Sequence, residues 1–196
     1  MQAKAFLLIK SASIEKPPYI CYFKTMAIHL VIDGYNLTGV MALPGQTATD
    51  LEGTREGLIK RLLVYKRAKG HRVTVVFDGK KSGSFYRTKI NQYGIEIIFS
   101  KDGEEADQIL KEIAKTEKQN MTLVTSDRAV ASFAEAYGAI AISSDEFNAI
   151  LATALYSYMK GVIDEDEDEI IVSNKSGNPR KLSKLERKRL QRMKKL

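Results

Sequence analysis

Four aspartates at the ends of apolar segments are the residues of this sequence best suited to shared chemistry. In order along the chain they are Asp33, Asp78, Asp107 and Asp127. Two negative charges about 4 Å apart repel by about 1 kcal/mol in water and about 4 kcal/mol at an effective dielectric constant of 20, so clustered carboxylates need a proton or a cation. An all-oxygen set without cysteine or a suitably placed histidine favours Mg²⁺ or Mn²⁺ over zinc.

The elements that must position these carboxylates alternate between strands and helices. Short, β-branched, apolar segments predict five strands, at 28–32, 73–77, 95–99, 121–125 and 139–142. Helix-length segments lie at about 52–69, 104–118, 127–137 and 145–160. Strands that are apolar on both faces belong to a parallel sheet covered by helices on each side. We therefore predict a doubly wound α/β domain over about 27–160.

This topology would bring the four aspartates to one edge of the sheet. In open α/β sheets, ligands bind beyond the carboxyl ends of the strands, near the point where the strand order reverses. Asp33 and Asp78 directly follow strands, Asp127 comes two residues after one, and Asp107 lies in the first turns of a helix. Each aspartate alone has a structural alternative, as a turn former or helix cap. Their combination favours a cation site.

The two histidines are predicted to lie at the opposite edge of the sheet. His29 is early in the first strand, and His71 comes just before the second. This placement argues against a ribonuclease with paired catalytic histidines and against a histidine-ligated zinc hydrolase. We interpret both histidines as structural.

The first predicted strand ends in a motif that resembles the signature of the NYN domain, a PIN-like ribonuclease group named partly for the YacP proteins: Val31-Ile32-Asp33-Gly34-Tyr35-Asn36-Leu37. Further matches follow in the same order: Val76-Phe77-Asp78-Gly79, Ala106-Asp107 and Thr125-Ser126-Asp127. The resemblance covers about 27–160. It implies a PIN-like fold with strand order 3-2-1-4-5, helices on both faces and metal-dependent RNA cleavage. For the YacP-like branch it also implies association with the ribosome.

The resemblance gives each polar residue of the motif an expected role in phosphodiester hydrolysis. Asp33, Asp107 and Asp127 would hold one or two Mg²⁺ or Mn²⁺ ions that activate a water. Asp78 would complete the shell or position a water. Asn36 would orient Asp33 or donate to the scissile phosphate, and its alternative is a helix cap. All five are predicted catalytic residues.

A second group of residues is predicted to contact RNA. The segment 79–89 mixes cations with two aromatic residues, a combination that follows a phosphate backbone and stacks on bases. The alternative is a flexible loop in which Phe85 and Tyr86 fold back on the domain. The predicted RNA-binding residues are Ser126, Arg128, Lys80, Lys81, Tyr86, Arg87 and Lys89.

Charge is unevenly distributed along the chain. The net charge is +7, residues 164–169 are six consecutive acids, and residues 175–196 hold ten Lys or Arg against the single Glu186. The basic segment indicates a polyanionic partner. We expect a solvated tail that adds salt-sensitive affinity for ribosomal RNA by releasing counterions. The alternative is packing on the domain through apolar residues of the segment: Leu182, Leu185 and Met193.

The predicted organisation has three parts: an N-terminal extension at 1–26, a PIN-like nuclease domain at 27–163 and a charged tail at 164–196. Met26 stands just before the first strand and is an alternative start of translation. The apolar run at 6–9 is too short for a secretory signal, and no run approaches the about 20 residues of a membrane-spanning helix. The single cysteine, Cys21, permits no internal disulfide and points to the cytoplasm.

The sequence therefore predicts a metal-dependent endoribonuclease that acts on single-stranded RNA, with messenger RNA as the expected substrate and the ribosome as the expected partner. One alternative is a non-catalytic RNA- or ribosome-binding protein with the same fold. Another is a Mg²⁺-dependent phosphatase or phosphotransferase. That class usually carries Asp-x-Asp after the first strand, whereas here Asp33 is followed by Gly34 and Tyr35.

Overall fold

A six-stranded sheet forms the centre of the structure, a computed structural model that describes residues 27–41, 50–79, 84–160 and 183–196. The strands are β1 (His29–Asp33), β2 (Arg72–Phe77), β3 (Thr88–Gln92), β4 (Ile95–Phe99), β5 (Met121–Val124) and β6 (Ile140–Ile142). Their order is β3-β4-β2-β1-β5-β6, and every neighbouring pair is parallel except β3 with β4. The five predicted strands are therefore present in the predicted order, and β3 is an additional edge strand.

Helices cover both faces of the sheet. They are α1 (Gly34–Val40), α2 (Leu51–Lys69), α3 (Ala106–Glu117), α4 (Arg128–Ala136), α5 (Ser144–Lys160) and α6 (Lys184–Met193). Buried side chains of α1, α2 and α5 pack on one face, and those of α3 and α4 pack on the other. The predicted doubly wound α/β class is confirmed, and the four predicted helices correspond to α2, α3, α4 and α5.

The central strands are buried because both of their faces are apolar. In β1, Leu30 and Ile32 join the cluster beneath α1, α2 and α5, whereas Val31 joins the cluster beneath α3 and α4. All three are fully buried. Full burial of a side chain of this size contributes on the order of 1.5–3 kcal/mol, so the central strands fix the positions of the loops at their carboxyl ends.

Strand β3 was not predicted because it lacks the pattern of a buried strand. All five of its residues are exposed, and it pairs only with β4 through a tight hairpin. The turn residues Tyr93 and Gly94 both have positive φ, at 53° and 82°. Two such residues match the twist of an antiparallel hairpin, so turn geometry rather than burial defines this strand.

The C-terminal segment packs on the domain, so the expectation of a solvated tail is wrong for residues 183–196. Arg189 donates to the carbonyl oxygen of Ala141 at 3.1 Å and pairs with Glu146. Leu196 is 2% exposed, and Met193 packs against the same core. Of the residues named for the packing alternative, Met193 makes this contact and Leu185 is exposed, whereas Leu182 is outside the described residues.

Other sequence predictions also fall outside the described ranges. These are the N-terminal extension at 1–26, the acidic run at 164–169 and the positions of Lys80 and Lys81. Among the helices in the described ranges, none combines the length and apolar character needed to cross a bilayer.

Candidate active site

Asp33 lies at the centre of the carboxyl edge of the sheet, because β1 pairs with both β2 and β5. It is the last residue of β1 and the N-cap of α1, and it is 8% exposed. Its Oδ1 accepts from the backbone N–H of Asn36 at 3.1 Å, and its Oδ2 accepts from the Thr125 hydroxyl at 3.3 Å. The following residue must be glycine, because a Cβ on Gly34 would lie 2.2 Å from the Phe77 ring.

The Asp33 carboxyl is in an environment that disfavours its charged form. Burial raises its pKa, and the negative charge of Asp107 adds to the rise. Hydrogen bonds from Asn36 and Thr125 act in the opposite direction. A buried carboxylate beside a second carboxylate gains most from a nearby cation.

Asp107 connects the carboxylates electrostatically. It lies in the first turn of α3, where partial burial raises its pKa and the charge of Asp127 raises it further. The charge of Asp78 has the same effect, and Lys111 partly offsets it. The fold therefore brings all four predicted aspartates within electrostatic influence of Asp107 or Asp33.

Asp78 and Asp127 also hold the helices that form this edge. Asp78 Oδ1 accepts from the backbone N–H of Ala106, the first residue of α3, at 2.6 Å. Asp127 is the N-cap of α4, and its Oδ1 accepts from Ala129 and Val130 at 2.7 and 3.0 Å. Asp78 bonds the first residue of α3, whose N-cap is Glu105, whereas the capping alternative holds for Asp127, as it does for Asp33. It is compatible with chemistry because a carboxylate has further acceptor positions.

Asn36 joins three elements at this edge. Its side-chain oxygen accepts from the backbone N–H of Ser126 at 3.1 Å and from the Ser144 hydroxyl at 3.3 Å. Ser126 Oγ in turn accepts from the backbone N–H of Ser144 at 3.1 Å. Asn36 lies inside α1, whose cap is Asp33, so the helix-cap alternative for Asn36 is wrong.

Thr125 and Ser144 are polar residues of this edge to which the sequence analysis assigned no role in the site. Thr125 donates to Asp33 and accepts from the backbone N–H of Asp127 at 3.1 Å. Both hydroxyl residues are buried, at 2% and 0% exposure. Their position in the sequence could have identified them, because each is a hydroxyl residue just after an apolar strand.

The predicted RNA contacts divide into two groups. Ser126, Arg128, Tyr86 and Lys89 are exposed, with Tyr86 at 82%. Phe85 is 85% exposed, so the alternative in which this aromatic pair folds back on the domain is wrong.

Arg87 differs from the other predicted contacts. Its guanidinium donates to Glu104 at 2.5 and 2.9 Å and to Glu112 at 2.6 and 2.9 Å. These bonds engage its donors within the protein. That Arg87 contacts RNA therefore stays a prediction, and Glu104 and Glu112 compete with RNA for its donors.

Both histidines lie at the amino edge of the sheet, as predicted. They are 6% and 2% exposed, and burial lowers the pKa of each. His29 Nε2 lies 2.9 Å from the Thr74 hydroxyl, and His71 Nε2 lies 3.0 Å from the carbonyl oxygen of Lys195. Their contacts are with the strands, with Glu117 at the end of α3 and with the C-terminal segment, at the end of the sheet away from the aspartates.

Two cavities among the described residues measure about 340 and 260 Å³, and both are lined by Arg72, Lys89 and Glu96. None of the four aspartates lines either cavity. In the same described ranges, no group of three or more Asp, Glu, His or Cys side chains is placed so that it could hold a metal ion.

Comparison with known proteins gives consistent matches. The family model described as the YacP-like NYN domain matches residues 30–196. "Uncharacterized protein YacP" of Bacillus subtilis (strain 168) is 33% identical over 87 residues, which are 44% of this chain and 51% of that protein. The chain thus spans about half the length of this curated relative in the match.

Two solved structures share the fold. The crystal structure of Rae1 (YacP) from Bacillus subtilis has a TM-score of 0.56 and 28% identity, covering 69% of this chain and 79% of that one. The crystal structure of a mutant of the same Bacillus subtilis protein has a TM-score of 0.57 and 26% identity, covering 68% and 80%. The sheet order, the acidic carboxyl edge and the match over 30–196 agree, and this chain belongs to the YacP-like NYN domain family of PIN-like nucleases.

Proposed function

We propose that this protein is a metal-dependent endoribonuclease that hydrolyses phosphodiester bonds of single-stranded RNA, with messenger RNA as its substrate. The observation that carries the proposal is the mutual influence of the carboxylates. Burial raises the pKa of Asp33 and of Asp107, and each is raised further by a neighbouring carboxylate. Like charges that are held close together destabilise the folded state, so the arrangement of these carboxylates indicates a functional role.

The donor set suits Mg²⁺ or Mn²⁺, because it consists of hard carboxylate oxygens. Asp33, Asp107 and Asp127 would hold the ion. Mg²⁺ commonly keeps several waters and binds through one or two carboxylates together with substrate phosphates, so a closed protein cage is not required. When bound, the ion supplies an acidified water and neutralises charge on the phosphate.

The other residues of the edge would orient the carboxylates and the substrate. Asp78 holds the first residue of α3, which fixes the helix turn that carries Asp107. Asn36 holds the loop that carries Ser126 and Asp127. Arg128 is exposed beside this loop and would pair with an RNA phosphate.

A non-catalytic RNA- or ribosome-binding role is the second candidate. The observation that favours it is that, among the described residues, no group of three or more Asp, Glu, His or Cys side chains is placed to hold a metal ion. In that case RNA would bind at the same edge, but no divalent ion would be needed for the interaction and no cleavage would follow.

Cleavage of labelled single-stranded RNA by the full chain, with and without Mg²⁺ or Mn²⁺, tests the proposal. We expect cleavage only with the ion, and its loss in Asp33→Asn. Glu56→Gln is the control, because it also neutralises one carboxylate, at an exposed position within α2. RNA binding without cleavage under all conditions would favour the second candidate.

Thermal unfolding gives an independent test of the ion. A ligand that binds only the folded state raises the melting temperature by mass action. Mg²⁺ or Mn²⁺ should raise the melting temperature of the wild type, and should do so less for Asp33→Asn. Equal shifts in the two proteins would mean that the ion binds elsewhere, for example at the acidic run 164–169.

Helix α6 offers a basic surface for a second contact with RNA. Its exposed cations include Lys184, Arg187 and Lys188. They would add salt-sensitive affinity for ribosomal RNA, which would bring the nuclease to messenger RNA during translation. The single cysteine of the chain agrees with a cytoplasmic site of action.

A further inference from the structure

Two adjacent aromatic side chains, Phe85 and Tyr86, project almost fully into solvent just before β3. They are 85% and 82% exposed, although aromatic side chains ordinarily gain from burial. Two residues after this pair, Thr88 is paired with Phe99 at the carboxyl end of β4, which also pairs with Phe77 at the end of β2. The aromatic pair therefore lies at the edge of the sheet that carries the aspartates.

The backbone around the pair is held in place. Ser84 accepts a hydrogen bond at its carbonyl oxygen from the backbone N–H of Asp102, at 2.9 Å. Its hydroxyl donates to the carbonyl oxygen of Tyr86 at 2.8 Å. After Arg87, the chain enters β3 and its ladder with β4. The rings are thus exposed on an anchored segment.

Arg87 provides the strongest anchor. Its four donor contacts reach Glu104, in the loop before α3, and Glu112, within α3. Hydrogen bonding to Arg87 lowers the pKa of both glutamates, so the three groups stay charged near neutral pH. Because α3 also carries Asp107, this clamp fixes the aromatic pair relative to the proposed site.

We propose that Phe85 and Tyr86 form a stacking platform for unpaired nucleobases, and that Arg87 is a positioning residue that holds the platform beside the carboxylates. This inference rests on the proposed function and names the substrate feature that the site selects. Bases in a duplex are covered on both faces, whereas an unpaired base can stack on an exposed ring, so the platform favours single strands. Arg87 adds no free positive charge, because two acids share it, and binding at the platform should depend on stacking.

A tryptophan reporter tests the platform directly, because the chain contains no tryptophan. Full-length Phe85→Trp is titrated with short single-stranded RNA in EDTA, so that binding is measured without cleavage. We expect quenching that persists as salt is raised. A duplex and an abasic strand of equal length, which has the same phosphates without bases, should not quench.

The possible results separate this inference from the proposed function. Equal quenching by the abasic strand overturns the platform. Absence of quenching, in a protein that still cleaves RNA when Mg²⁺ is supplied, also overturns it and leaves the nuclease proposal intact. Base-dependent quenching in a protein that never cleaves supports the platform and contradicts the proposed function.

The clamp is tested by measuring KM and kcat separately for the cleavage of single-stranded RNA. Loss of one stacked base weakens affinity on the order of 10-fold, so Phe85→Leu and Tyr86→Leu should raise KM for single-stranded RNA about that much and leave kcat unchanged. Arg87→Gln should raise KM similarly while both rings remain. Glu112→Gln removes one of the two partners of Arg87 and is a second variant of the clamp. Its matched control is Glu56→Gln, because Glu56 pairs with Lys60 on α2.

Two further measurements keep the test decisive. If Arg87→Gln does not fold, Glu112→Gln replaces it, because Glu112 is exposed and Arg87 would keep its bonds to Glu104. In a protein that already carries Phe85→Leu and Tyr86→Leu, loosening the clamp should raise KM no further. An unchanged KM in the clamp variants, or an equal rise without the rings, overturns the positioning role.

Discussion

At the carboxyl edge of the sheet, burial and neighbouring carboxylates raise the pKa of Asp33 and Asp107, whereas hydrogen bonds and ion pairs hold the amino edge together. There, His71 Nε2 lies 3.0 Å from the carbonyl oxygen of Lys195, and the Tyr65 hydroxyl donates to that of Leu196 at 3.1 Å. The same strands thus end among like charges at one side and among hydrogen bonds and ion pairs of opposite charge at the other.

This difference separates residues that serve a ligand from residues that serve the fold. A carboxylate cluster destabilises the folded state until a cation or proton arrives, and its removal should cost activity rather than stability. A buried neutral hydrogen bond stabilises the fold without a ligand, and its removal should have the reverse effect. Variants at the two edges therefore test the comparison from opposite directions.

The largest effect is expected from Asp107→Asn, which removes charge with little change in volume. RNA cleavage should fall on the order of 10²-fold or more, as is common when preorganised electrostatic stabilisation is lost. In EDTA the melting temperature should stay level or rise, because repulsion with Asp127 is relieved. Single-turnover cleavage and thermal unfolding of the same preparation measure both. Cleavage at the wild-type rate would show that the carboxyl edge is not the active site.

At the amino edge, Tyr65→Phe should change stability and spare cleavage. The variant leaves the buried carbonyl oxygen of Leu196 without this donor, so the free energy of unfolding should fall by about 1–3 kcal/mol. Urea denaturation measures the change, and Tyr158→Phe, at a half-exposed position, is the control. A large loss of cleavage at unchanged stability would break the division between the two edges.

The two edges should respond to pH with opposite signs. The pKa of Asp107 is raised from its ordinary 3.8, so just above pH 3.8 the folded state holds a proton that the unfolded state has lost, and stability falls as pH rises. The pKa of His71 is lowered from 6.5, so just below pH 6.5 only the unfolded state gains a proton, and stability rises with pH.

Denaturation of the wild type and two variants across this range resolves the two contributions. Asp107→Asn should weaken the decline that begins above pH 3.8, to which Asp33 also contributes. His71→Gln, whose amide can still donate to the Lys195 carbonyl oxygen, should weaken the rise toward pH 6.5. Wild-type slopes in both variants would mean that other groups dominate the pH dependence.

The smallest effect is expected on the surface of α6. Replacing the exposed Arg187 and Lys188 by glutamine should weaken RNA association and reduce the salt slope of log K by at most about 2, because fewer counterions are released. Saturated cleavage of a short oligonucleotide should not change. Lys60 and Arg67, exposed on α2, form the matched double variant. Equal losses in the two double variants would point to net charge alone rather than to a binding surface on α6.

The sequence alone determined the parallel sheet and the shared edge of the aspartates. The central strands are apolar on both faces, and such segments form a parallel sheet whose strand ends gather at one side. Asp33, Asp78 and Asp127 each stand directly at or just after a strand, so their placement follows from local pattern and topology. The additional strand β3 was invisible to that pattern because all of its residues are exposed.

Tertiary structure decided which polar groups meet. The sequence predicted Arg87 to be a cation of an RNA-binding loop, but it forms ion pairs with Glu104 and Glu112. These glutamates lie 17 and 25 residues further along the chain, so no local pattern indicates the contact. The sequence predicted a solvated tail for the basic C-terminal segment, but Leu196 is buried beside Tyr65. Local pattern fixes where an element begins and ends, whereas contacts between distant residues depend on how the finished layers pack. That packing decides whether a polar side chain is exposed to a ligand or is paired with another residue of the same fold.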